Sequence, residues 1–176
     1  MITIRRMTRA EAQKITEIDR SEHITTLYEM NQGQLISSSV DFNDQGWRKG
    51  DGEHSFGEII KHAEHMLDAQ GTMLGAFDGS RLAAIAIFRP LLTKIMGELA
   101  LLHVSNAYRR QGLATRLLSE VERLARESGA QSLYVSATPS GSAVGFYTHH
   151  GFHPTPEPHP ELLALEPEDI HMTKRL

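Results

Sequence analysis

The sequence predicts an α/β (α+β) protein: one twisted, mixed sheet with helices on both faces, in a single domain over residues 1–176. Three observations carry this. "GELALLHV", a long amphipathic helix and "SLYVSA" follow one another as strand, helix and strand. Asp78-Gly79 sits between two β-rich runs, the strongest short hairpin signal. "ITIRR" and "IHMTKRL" add strands near the two ends.

Taken in order, "ITIRR" alternates and forms the first strand. Thr8, with Glu11 three residues later, opens a helix whose apolar residues are Ala12, Ile15 and Ile18. A second short helix is expected over "SEHITTLYEM". Residues 31–55 contain four glycines and the only tryptophan, Trp47, and are expected to be a long irregular connection. "FGEIIKHAEHMLDAQG" is a helix stopped at Gly71. The Asp78-Gly79 hairpin and the strand "GELALLHV" follow. The helix from Leu113 carries an apolar stripe of Leu113, Leu117, Leu118, Val121, Leu124 and Ala125, and Gly129 ends it. "SLYVSA" is a strand, and "SAVGFYTHHG" a short helix ending at Gly151. The stretch 153–169 holds five of the seven prolines, which excludes regular structure throughout.

Composition narrows the function. Hydrophobic residues make up 40% and charged residues 23%, as in an ordinary folded globule. A net charge of -4 gives no support for nucleic-acid binding. No cysteine is present, so there is no disulfide, thiolate zinc site or cysteine nucleophile, and a reducing cytoplasm fits. The longest apolar run, "LAAIAIF", is too short to span a bilayer. His62 and His65, and the adjacent His149 and His150, lack a suitably spaced carboxylate or cysteine partner, so no metal is expected.

One stretch points to a ligand. In "YRRQGLATRLL", two arginines and a glutamine lead to Gly112 at the mouth of the long helix. A helix N-terminus offers unpaired N–H groups and about half a positive charge. Glycine removes the side chain where an anion comes closest, and Arg109 and Arg110 add planar donors suited to phosphate. The pattern is neither a nucleotide P-loop nor a dinucleotide fingerprint. Solvated arginines before a helix-starting glycine are the bland alternative.

The wider stretch "LLHVSNAYRRQGLATRLL" resembles the coenzyme A site of the Gcn5-related N-acetyltransferase (GNAT) superfamily. Arg109, Arg110, Gln111, Gly112, Leu113 and Ala114 match its signature, and "SAVGFYTHHGF" matches its helix with Phe-Tyr closing in Gly-Phe. The resemblance implies a mostly antiparallel sheet whose two central parallel strands splay into a V. It implies that a pantetheine arm lies there along Leu102, His103 and Val104 and pairs with the free backbone of Leu102 and Val104. It also implies that the N–H groups from Arg110 to Thr115 hold the pyrophosphate, and that Ser140 and Phe146 line the cofactor. The family often has asparagine where Ser140 stands, so the contact made there is open.

The same resemblance implies acetyl transfer from acetyl-CoA, without a metal, to an amine by direct attack. Tyr147 is the candidate acid at the thioester sulfur, against plain core packing. Glu98 is the candidate base through water, against an exposed strand-end carboxylate. Asp19, Glu22 and His23 lie where an acceptor would enter. A non-catalytic acyl-CoA-binding or sensing domain is the alternative. A monomer and a homodimer are both compatible with the sequence, and no nucleic-acid or membrane partner is expected. Acceptor selectivity is expected from residues 19–56 and 153–169.

Overall fold

A computed structural model describes residues 1–176. The chain opens with β1 (Ile2–Arg6), a 3-10 helix (Arg9–Glu17) and two paired strands, β2 (Glu22–Asn31) and β3 (Gln34–Asp44). Helix α1 (Phe56–Asp68) leads to β4 (Thr72–Asp78), β5 (Arg81–Thr93) and β6 (Met96–Val104). Then come α2 (Leu113–Glu127), β7 (Ser132–Ala137), α3 (Gly141–His149), β8 (His153–Pro154), α4 (Pro160–Leu165) and β9 (Ile170–Arg175). Seven strands form one sheet in the order β1-β4-β5-β6-β7-β9-β8. Only β6 and β7 run parallel; every other neighbouring pair is antiparallel.

Each face of this sheet buries its own core. On one face, Leu117, Leu118, Val121 and Ala125 of α2 pack with Ala84, Ala86, Phe88 and Leu99 of the sheet, joined by Val144 and Tyr147 of α3. The alanines of β5 let the leucine ridge of α2 approach closely. Burying each large α2 side chain is worth roughly 1.5–3 kcal/mol. On the other face, Ile60, Ala63 and Met66 of α1 and Ala12 and Ile15 of the 3-10 helix cover Met73, Phe77, Ile85 and Ile87. The expected stripe of α2 is thus the buried one. Gly129 follows at φ +83°, a left-handed turn out of the helix. No helix is long and apolar enough to cross a membrane.

The N-terminal part differs from expectation in three places. The helix after Thr8 winds as a 3-10 helix, although its capping box is present, with the Thr8 N–H donating to Glu11 Oε2 at 2.9 Å. Its buried residues Ala12 and Ile15 are spaced by three, the 3-10 repeat, so the tighter winding puts both on one face, and buried Ile18 caps its end. "SEHITTLYEM" is not a helix but the strand β2, and residues 34–44 of the expected loop are its partner β3. The reason lies in the turn: Asn31 pairs with Gln34 across a two-residue loop, with Gln32 at φ +50° and Gly33 at φ +79°. Both positive angles belong to the tight hairpin turn that matches strand twist. Ile24, Thr25 and Thr26 add β-branched residues that favour the strand. The remaining loop is pinned by Trp47, whose ring meets His103 edge-on at 4.8 Å and Phe56 at 5.9 Å.

Candidate active site

Strands β6 and β7 are paired only at Met96–Ser132, Gly97–Leu133 and Glu98–Tyr134. Beyond Glu98 they part, and a cleft of ≈ 380 Å³ opens between them. The splay leaves one edge of β6 without a strand partner. Ser105 donates its N–H to Ala83 O on β5 at 2.9 Å. Backbone direction alternates along a strand, so His103 turns its polar groups toward β5, while those of Leu102 and Val104 face the gap. The His103 ring lies on the Trp47 side. Burial, then the charges of Arg20 and Arg109, depress its pKa to about 3, so it is neutral.

The loop after β6 closes one end of the cleft. Arg110 stands at φ +61° and Gly112 at φ +77°, both left-handed. This bends the chain so that the N–H groups of Arg110, Gln111, Gly112, Leu113, Ala114 and Thr115 donate to no acceptor in the protein. Successive unpaired N–H groups beside a helix N-terminus make a concave anion site. A Cβ on Gly112 would meet nothing within 4 Å, so the space above it is open to a ligand. The two arginines are not equivalent. Arg109 donates through Nε to Val104 O at 3.3 Å and through Nη2 to Arg20 O at 3.1 Å, and so braces the loop. Arg110 is exposed and makes no side-chain hydrogen bond or ion pair. Gln111 turns its side chain back to Ala107 O at 3.3 Å and is the one residue of this signature that does not line the cleft.

Helix α3 supplies the opposite wall, with Ser140, Phe146 and Tyr147 all lining the cleft. Ser140 caps α3, its Oγ accepting from the Ala143 N–H at 3.3 Å, so its hydroxyl is committed to the helix. His150 Nδ1 must donate to Phe146 O at 2.9 Å, since a carbonyl only accepts. His150 Nε2 meets the Thr115 hydroxyl at 3.1 Å, tying α2 to α3. Tyr147 is 6% exposed, yet its hydroxyl has no hydrogen-bond partner and opens on the cleft. Burial, then the charge of Asp169, raises its pKa above the usual 10.

Four carboxyl groups lie on or beside the cleft. Glu98 sits at the apex where the strands part, 5% exposed, with Arg89 Nη1 at 3.3 Å. Burial raises its pKa to about 7, and Arg89 only partly offsets that. Glu98 does not itself line the cleft, whereas Glu22, Glu166 and Asp169 do. Burial, then Glu166, lifts Asp169 to about 7 against the pull of Arg20. Burial also raises Glu166, partly offset by Ser136. Sequence reasoning named 153–169 as a selectivity region but not these two acids. The only signal was "EPEDI", carboxylates just before a strand, which is a common surface pattern. Of the residues expected where an acceptor would enter, Asp19 is committed to the Ser21 N–H at 3.0 Å, and His23 faces Asn43 and Asp41 of β3. No group of three histidine, aspartate or glutamate side chains is arranged to hold a metal.

The comparisons agree with this geometry. No curated protein matches the chain. In fold, it is similar to nourseothricin acetyltransferase, with a TM-score of 0.74 at 17% identity, covering 99% of this chain and 98% of that one. It is also similar to the PaiA N-acetyltransferase of Thermoplasma acidophilum in complex with coenzyme A, with a TM-score of 0.64 at 17% identity and coverages of 100% and 99%. A GNAT family acetyltransferase of Elizabethkingia anophelis with acetyl-CoA bound gives 0.55 at 18% identity, over 66% of this chain and 82% of that one. The model of the acetyltransferase (GNAT) family matches residues 36–152, from β3 through the splayed strands to the end of α3, and the chain belongs to that family.

Proposed function

We propose that the protein is an acetyl-CoA-dependent N-acetyltransferase that moves an acetyl group to an amine by direct attack within a ternary complex. The observation that carries this is the run of free N–H groups from Arg110 to Thr115, set beside the unpartnered edge of β6. An anion at α2 and an extended arm along Leu102 and Val104 would satisfy both. Acetyl-CoA has a pyrophosphate and an amide-bearing arm in that order, and it supplies an activated thioester. Named relatives in fold, one an N-acetyltransferase and another holding acetyl-CoA, support the same reading.

The remaining parts suit the chemistry. An alkyl amine has a pKa near ~10.4 and must lose a proton before it attacks. Glu98, held at about 7, has the right acidity to take that proton, through water because it does not line the cleft. Tyr147 faces the cleft with a free hydroxyl, ready to protonate the departing thiolate. A domain that only bound or sensed acyl-CoA would have no use for a phenol hydroxyl that opens on the cleft without a partner in the protein. Tyr147→Phe separates the two readings. We expect thiol release to fall ~10²–10⁴-fold, with coenzyme A affinity and melting temperature almost unchanged. Near-normal turnover with a lowered melting temperature would make Tyr147 a packing residue.

A further inference from the structure

The mechanism above leaves one proton unassigned. An ammonium acceptor loses two protons on becoming an amide. One leaves before attack. The other must leave the nitrogen afterwards, while the thiolate gains one. Asp169 lines the cleft in which that exchange would occur. It comes from the loop that starts β9 and lines the cleft with Tyr147 of α3. Its carboxyl group makes no hydrogen bond and no ion pair within the protein; only its backbone N–H is engaged, with Glu166 O at 3.2 Å. Arg20 and Glu22 face the same space from the start of β2, Glu166 from its own loop, and the neutral Ser136 from β7.

We propose that Asp169 and Tyr147 form a proton relay that carries the second amine proton to the leaving sulfur. This deepens the acetyltransferase reading and rests on it. Once the nitrogen has bonded to the thioester carbon, Asp169 takes the remaining excess proton from nitrogen. The C–S bond breaks and its electron pair stays on sulfur. Sulfur takes the proton of the Tyr147 hydroxyl, and Tyr147 takes the one Asp169 holds through a bridging water, since the two side chains line one cleft without touching. Both side chains end as they began, and the first amine proton has already passed through Glu98 to solvent.

The electrostatics explain why Tyr147 would need this partner. Burial and the Asp169 charge both disfavour its phenolate. A thiol ionises near ~8.5, so Tyr147 alone would give up a proton to a weaker base and be left as a costly anion. Asp169, held at about 7 by burial and Glu166, can return a proton as Tyr147 releases its own. No phenolate then accumulates, and the net transfer from carboxyl to thiolate runs downhill.

The test is a kinetic cycle of Asp169→Asn, Tyr147→Phe and the double variant, with acetyl-CoA and with an activated thioester whose thiol is more acidic. With acetyl-CoA, Asp169→Asn should lower kcat ~10²-fold or more, with little change in the KM of acetyl-CoA. The double variant should be no slower than the slower single, since two members of one relay fail together. Both single defects should shrink with the activated donor. A rise in amine KM at normal kcat would make Asp169 an ammonium anchor and overturn the relay, as would defects that multiply or that ignore the leaving group. Matched melting temperatures check that Asp169→Asn folds, and Asp169→Glu should restore part of kcat. Wild type that binds coenzyme A but acetylates no amine would sink the acetyltransferase reading and the relay with it. Active wild type with an indifferent Asp169→Asn would sink the relay alone.

Discussion

Glu98 keeps its proton in the fold up to about pH 7, against an ordinary 4.5. Between those values the folded protein binds a proton that the unfolded chain releases. Stability from this group is therefore complete below about pH 4.5 and is lost as pH rises to 7. The difference corresponds to roughly 3 kcal/mol at most. Glu98→Gln cannot ionise, so its melting temperature should decline less than wild type between pH 5 and 8. Its turnover should fall at neutral pH and recover partly at high pH, where the amine loses its proton unaided. A pH–rate profile identical to wild type would give the proton to another group. At this scale the residue types were legible but their surroundings were not. Nothing in the sequence says that Glu98 is sealed behind Arg89, that Arg109 braces a loop, or that Asp169 lines the same cleft as Tyr147. These facts depend on contacts between residues 9 to 89 positions apart in the chain.

At the scale of elements, the loop into α2 carries the binding argument. Gly112→Ala meets no atom of the protein, so its folding cost should be the left-handed backbone alone, about 1–2 kcal/mol. Its methyl group would stand in the cradle, and a valine there should abolish coenzyme A binding by calorimetry. Unchanged affinity would remove the cradle. The arginines should separate as well. Arg110→Gln should weaken coenzyme A binding and flatten its salt dependence without touching stability. Arg109→Gln should also lower the melting temperature, because Val104 O and Arg20 O lose their donor. Helix α2 was readable because one strong period of leucines and a glycine at each end describe it completely. The ribbon β2–β3 was not. Its strands are largely exposed, so alternation is faint, and Gln32-Gly33 is a weaker turn signal than Asp78-Gly79.

For the molecule as a whole, two cores on opposite faces hold a sheet that is complete except at one seam. The alternation of strands and helices made that architecture legible in the sequence. The splay between β6 and β7 was not, because no residue pattern records where two parallel strands stop pairing; it came from resemblance alone. The seam is what converts a stable sheet into a site, since it frees a strand edge, roofs it with α2 and α3, sets Glu98 at its apex and lines the cleft with further acids. The most direct test of the central claim is thiol release from acetyl-CoA by the intact protein across a panel of primary amines, with coenzyme A binding measured on the same sample. The account predicts release that depends on the amine and an acetylated amine in equal amount. Tight coenzyme A binding with no amine-dependent release from any member of the panel would contradict it and leave a protein that binds acyl-CoA without transferring the acyl group.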